Sequence, residues 1–129
     1  MIAALALAGM AAPDEMDLDA FVKAVGGCDK PVVTATITAE GKRHSQFLVD
    51  AYKEQRAIAV ARVDLVERRR VLRAKGAKVD TEEGLKLANE ALDDRTKALA
   101  DNRALDQSEQ DMIAYFRTQY LRQCSGKGL

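Results

Sequence analysis

The chain has 129 residues, 47 % of them hydrophobic and 31 % charged, with 20 Lys and Arg balancing 20 Asp and Glu. That length fits one domain, and the composition is too apolar for a disordered tail. Zero net charge gives no electrostatic reason to expect nucleic acid, and two prolines with eight glycines are too few turn-formers for an all-β fold.

Residues 2–12, IAALALAGMAA, form an apolar, small-residue run that meets Pro13-Asp14-Glu15. The pattern predicts a secretory signal cleaved after Ala11, with Gly9 and Ala11 at the two small-residue positions. The Lys or Arg that usually precedes such a run is absent. The run falls short of the roughly 20 residues needed to span a bilayer. Residues 1–11 are therefore read as a signal peptide and 12–129 as a single helical domain. The expected location is periplasmic or secreted, with no transmembrane segment after processing.

Met16, Leu18, Phe21, Val22 and Val25 predict a short amphipathic helix over 15–25, ended by Gly26-Gly27. Residues 31–39, PVVTATITA, are β-branched and could alternate as a strand. No second strand-like run exists to pair with them, and Val33 and Ile37 are in helical phase with Gly41, His44 and Leu48. Helix, or an extended lead-in to one, is the favoured reading.

A long helix is predicted over 45–75. Leu48, Ala51, Ile58, Leu65 and Leu72 recur at coiled-coil-like steps of three and four, with Gln55, Arg62 and Arg69 filling the seam. Phe47, Tyr52, Val63 and Val66 are expected to widen that stripe. Arg68, Arg69, Arg70, Arg73 and Lys75 suit the negative end of a helix dipole, and Gly76 supplies a C-cap. Asp80 with Glu83 reads as a capping box opening the next helix. Its seam is Leu85, Ala88, Leu92, Leu99, Ile113, Phe116, Tyr120 and Cys124. Asp106 with Glu109 looks like a second capping box and predicts a kink or break near 105–107. The tail from Ser125 to Leu129 is expected to fray.

Three asymmetries agree on a fold-back near Gly76. Cys28 and Cys124 are equidistant from it. Residues 40–79 carry eleven basic and five acidic side chains, and residues 80–111 four basic and ten acidic, so the two halves suit one another. All six aromatics, Phe21, Phe47, Tyr52, Tyr115, Phe116 and Tyr120, lie toward the cysteine end of such a fold. The fold class expected is all-α: a long antiparallel helical hairpin with a short N-terminal helix packed at its open end, closed by a Cys28–Cys124 disulfide. The same geometry places Arg62 near Glu90, Asp93 or Asp94, and Arg69, Arg70 and Arg73 near Glu82 and Glu83.

Chemistry is thinly represented. His44 is the single histidine, and Ser45 beside it faces another direction on a helix. No HExxH, bundle-type Glu-x-x-His, Cys/His cluster or phosphate-binding Gly loop is present. The carboxylate pairs Glu82-Glu83 and Asp93-Asp94 read as a helix start and a solvated face. No catalytic residue, metal ligand or cofactor is expected. The feature that invites a functional reading is the cluster Arg68, Arg69, Arg70, Arg73, Lys75 and Lys78, which exceeds what Glu82 and Glu83 neutralise. It predicts a contact surface for an anionic protein or envelope component. Nucleic acid fits poorly, since no aromatic is interleaved for stacking. The alternative is a chaperone-like or inhibitor protein of the periplasm that uses an apolar groove of the hairpin, as a homodimer.

Overall fold

The computed structural model describes residues 10, 16–76 and 79–124, with side chains from 83 onward in the last stretch. Helix α1 spans Leu18–Gly26, α2 Lys30–Ala74 and α3 Val79–Gln123, and no strand occurs among the described residues. The signal-peptide reading of residues 1–11, the frayed tail and Lys78 lie outside the described residues.

Each helix boundary follows from local chemistry. The Asp17 side chain accepts a hydrogen bond from the Ala20 amide at 3.1 Å, which starts α1 at Leu18. The link to α2 is tight. Gly27, Cys28 and Asp29 return their amides to the carbonyls of Lys23, Val25 and Ala24, and Cys28 takes a left-handed φ of 53°. Asp29 then caps α2 through the Val32 amide. Pro31 falls in the first turn, where its missing N–H has no partner to lose. The ambiguous residues 31–39 are thus helical. At the far end of α2, the Gly76 amide bonds the Arg73 carbonyl at φ 68°, a conformation glycine adopts without a Cβ penalty.

Helix α3 runs unbroken through 105–107, contrary to the predicted kink. No Gly or Pro lies between Leu85 and Gln123. The Asp106 and Glu109 carboxylates are buried and engage α2 side chains rather than capping a new helix.

The chain forms two compact units, one holding Val49–Asn102 and the other the described parts of Ala12–Leu48 and Arg103–Leu129. Within the second, α1 packs on antiparallel α2 and α3. Phe21, Ala24 and Val25 of α1 meet Val33 of α2 and Ile113, Tyr120 and Cys124 of α3, with Met16, Cys28, Ile37 and Phe116 around them. Phe21 meets Phe116 edge to face at 6.0 Å, and Phe116 meets Tyr115 likewise at 5.1 Å. Cys28 and Cys124 form the expected disulfide, with Cα atoms 5.6 Å apart. The all-α hairpin with a short N-terminal helix, closed by this bond, is the observed fold.

Within the Val49–Asn102 unit, α2 and α3 again run antiparallel around a narrow seam. Ala51, Ile58 and Ala61 of α2 and Leu85, Leu92 and Leu99 of α3 are its buried apolar residues. Leu48, Tyr52, Val63 and Val66 do not join the buried stripes. All four are exposed, with Val63 at 67 % and Val66 at 70 %. Stepping by three and four from Val49 gives a second phase of the same period, displaced to the opposite side of the helix. Glu54, not Gln55, takes the inward position and meets Arg95.

Candidate functional site: a basic helix end and a buried ionic cluster

The basic cluster is assembled by the last turns of α2 and the turn after it. Arg68, Arg69, Arg70, Arg73 and Lys75 are all exposed. Arg70 donates through Nε and Nη2 to the two carboxylate oxygens of Glu67, at 3.2 and 2.7 Å, one turn back on its own helix. That pairing holds the Glu67 carboxyl below its usual range and the Arg70 guanidinium above its own. The expected partner for Arg70 was on α3, so the contact is local rather than across the hairpin. Among the described residues, no ion pair engages Arg68 or Arg69. The cross-helix contact expected of Arg62 is present, since its Nη2 donates to Asp93 at 2.9 Å and to Thr96 at 2.9 Å. A shallow groove beside these groups is lined by Arg62, Leu65, Val66, Arg69, Leu85 and Asn89.

A second polar assembly, missed by the sequence reading, lies within the disulfide-bearing unit. Arg43 on α2 donates to Glu40 at 2.9 Å and to Asp106 at 2.8 Å, and its Nη2 is 2.9 Å from Glu109 Oε2. His44 Nδ1 is 2.8 Å from the other Asp106 oxygen, and against a carboxylate that nitrogen carries the proton. Three buried carboxylates thus surround one guanidinium and one partly exposed imidazole. Glu109 Oε2 is close to Arg43 but makes no aligned hydrogen bond, so its contact with the cation is electrostatic.

The charges respond accordingly. Burial pushes the Glu109 carboxyl above its usual range; attraction to Arg43 opposes this, while Glu40 and Asp106 add to it. Burial works against the charge on Arg43, yet hydrogen bonds to Glu40 and Asp106 and attraction to Glu109 outweigh it and hold the guanidinium above its ordinary value. The signal for this cluster was present in the chain. Val33, Ile37, Glu40, His44 and Phe47 step by three and four along α2, in phase with the buried apolar positions.

The cluster has the composition of a structural polar core. Arg43 occupies the space among the carboxylates, and no group of His, Cys, Asp and Glu suited to a metal ion occurs among the described residues. No helix among those residues is long and apolar enough to cross a membrane. No protein-family model, curated protein or solved structure matches the chain.

Proposed function

We propose that the chain is an exported, non-enzymatic helical binding protein that contacts an anionic envelope partner through the basic end of α2. The observation that carries this reading is the concentration of exposed cations at Arg68, Arg69, Arg70, Arg73 and Lys75 in the last turns of α2 and the turn after it. Clustered like charge raises the local concentration of an oppositely charged partner and speeds its encounter. The negative end of the α2 dipole offsets part of their mutual repulsion. Export is supported by the Cys28–Cys124 bond, because structural disulfides persist in oxidising compartments.

The groove lined by Leu65, Val66 and Leu85 and flanked by Arg62 and Arg69 favours a second reading, a chaperone-like or inhibitor role in which an apolar segment is held beside the cations. The two readings separate by salt dependence, since exposed charge contacts are screened over about 8–10 Å at physiological ionic strength and apolar contacts are not.

The test uses the full chain with vesicles of phosphatidylcholine alone or mixed with phosphatidylglycerol, and with polyglutamate as a soluble polyanion. Binding to either anionic probe should fall steeply with added salt and be lost when Arg68, Arg69, Arg70 and Arg73 are changed together to Ala. Binding unchanged in that variant would refute the proposal.

A further inference from the structure

Helix α2 carries an apolar seam on the side opposite the one it packs against α3. Val49, Tyr52, Arg56, Ala59, Val63, Val66 and Arg70 follow one another at alternating steps of three and four, and all are exposed. Val60 lies beside this line and is 52 % exposed. A shallow apolar surface at Lys53, Arg56, Ala57, Val60, Ala61 and Asp64 continues it. The whole seam belongs to the Val49–Asn102 unit. Isolated exposed apolar residues need no explanation, but a contiguous row at coiled-coil spacing does. Over the same unit α3 presents Leu87 as its one large exposed apolar side chain among the described residues; the rest of its outer face is polar or alanine.

We infer that the outward seam of α2 is an interface with a second copy of this chain, the two α2 helices packing antiparallel about a two-fold axis near Ala61. Charge placement selects this arrangement. A parallel pair would set Arg56 against Arg56 and Arg70 against Arg70 in the layers of the seam. The antiparallel pair sets Ala59 against the partner's Val63, Arg56 against the partner's Val66, and Tyr52 against the partner's Arg70. The last is a cation–π contact. The stem of Arg56 covers a valine while its head reaches water. In the same register Lys53 flanks the partner's Glu67 on both sides of the axis, opposite charges at the positions that set coiled-coil orientation. The patch is therefore complementary to itself, as an isologous two-fold contact requires.

Folding physics gives the same occupant. Two helices alone bury only the narrow row from Ala51 to Leu99 in this unit. A helix apolar on opposite sides is suited to packing on both, as in a four-helix bundle. Such a dimer leaves Arg68, Arg69 and Lys75 off the seam, whereas Arg70 and Arg73, the latter opposite the partner's Val49 in the same register, would serve both the dimer and the proposed anion contact.

The experiment is sedimentation equilibrium of the full, disulfide-bonded chain. A mass of twice 14.1 kDa is expected. Val63→Glu, at a site exposed enough to leave each chain folded, should give the monomer mass with unchanged helical circular dichroism. Lys53→Glu and Glu67→Lys should each weaken the dimer, and the two together should restore it. A monomer at every concentration overturns the inference and leaves the seam to another protein. A dimer indifferent to Val63→Glu and to the charge exchange overturns it equally.

Discussion

Glu109 shows how one buried carboxyl shapes the energetics around it. It sits 6 % exposed among Glu40, Arg43 and Asp106, and its burial favours the protonated form. Its folded pKa therefore lies above the 4.5 usual for the exposed group. As pH rises from below that value, the unfolded chain ionises first, so the folded state loses stability until the folded carboxyl has also ionised. Glu109→Gln removes this titration. The variant should show a flatter stability curve, measured as urea midpoint from below pH 4.5 to neutrality, with its advantage over the parent growing as pH rises; parallel curves for the two proteins would contradict the assignment. The position was legible in the sequence as a carboxylate three residues after Asp106, but that spacing has two physical uses. It places one acid to cap a helix start, and it also places two acids on one face of a continuous helix. What distinguishes them is the presence of Arg43 and His44 across the interface, which is not local information.

At the level of helices, the inward seam of α3 was legible because Leu85, Leu92, Leu99, Ile113 and Tyr120 keep one phase and are buried accordingly. Helix α2 was harder to read. Its apolar residues occupy two phases of the same period, so Tyr52, Val63 and Val66 looked like the margin of one wide stripe when they form another on the far side. Its buried register also runs through a charge. Glu54 and Arg95 are 8 % and 7 % exposed and meet through paired contacts, Nε to Oε2 and Nη2 to Oε1. Such a pair adds little net stability over an apolar one, yet removing Glu54 takes from the buried Arg95 its two-point carboxylate contact, a loss of about 3–5 kcal/mol. Glu54→Ala should thus lower the unfolding free energy by about that amount. Replacing Glu54 and Arg95 together with Leu and Met should recover most of the loss. A Glu54→Ala protein as stable as the parent would show the pair to be solvated in practice.

For the whole molecule, the chief covalent constraint is the Cys28–Cys124 bond across a sequence separation of 96 residues. Chain-entropy reasoning assigns a loop of that size about 4–5 kcal/mol, much of the total for a domain with so narrow a core. Cys28→Ser or Cys124→Ser should depress the melting temperature substantially under oxidising conditions, and coincident melting of parent and variant would show the constraint to be idle. The fold-back and the pairing of the cysteines were legible because each depends on position along the chain; the gathering of aromatics at the cysteine end was legible only in part, since Tyr52 falls in the Val49–Asn102 unit and is exposed. The buried ionic cluster was legible only in part: Glu40 and His44 keep the buried phase of α2, but Asp106 and Glu109 become their neighbours only once the register between α2 and α3 exists.

The turn after α2 offers Lys75, exposed and followed by Gly76, as a natural point of attack for a trypsin-like protease. Scission there would open the polypeptide without releasing either half. Helices α1 and α2 would stay bonded to α3 through Cys28 and Cys124, and the nicked species would migrate as one covalent molecule until reduced. The disulfide thus makes the connection at Gly76 dispensable for covalent connectivity. An opening at this exposed turn is the cut that the architecture tolerates.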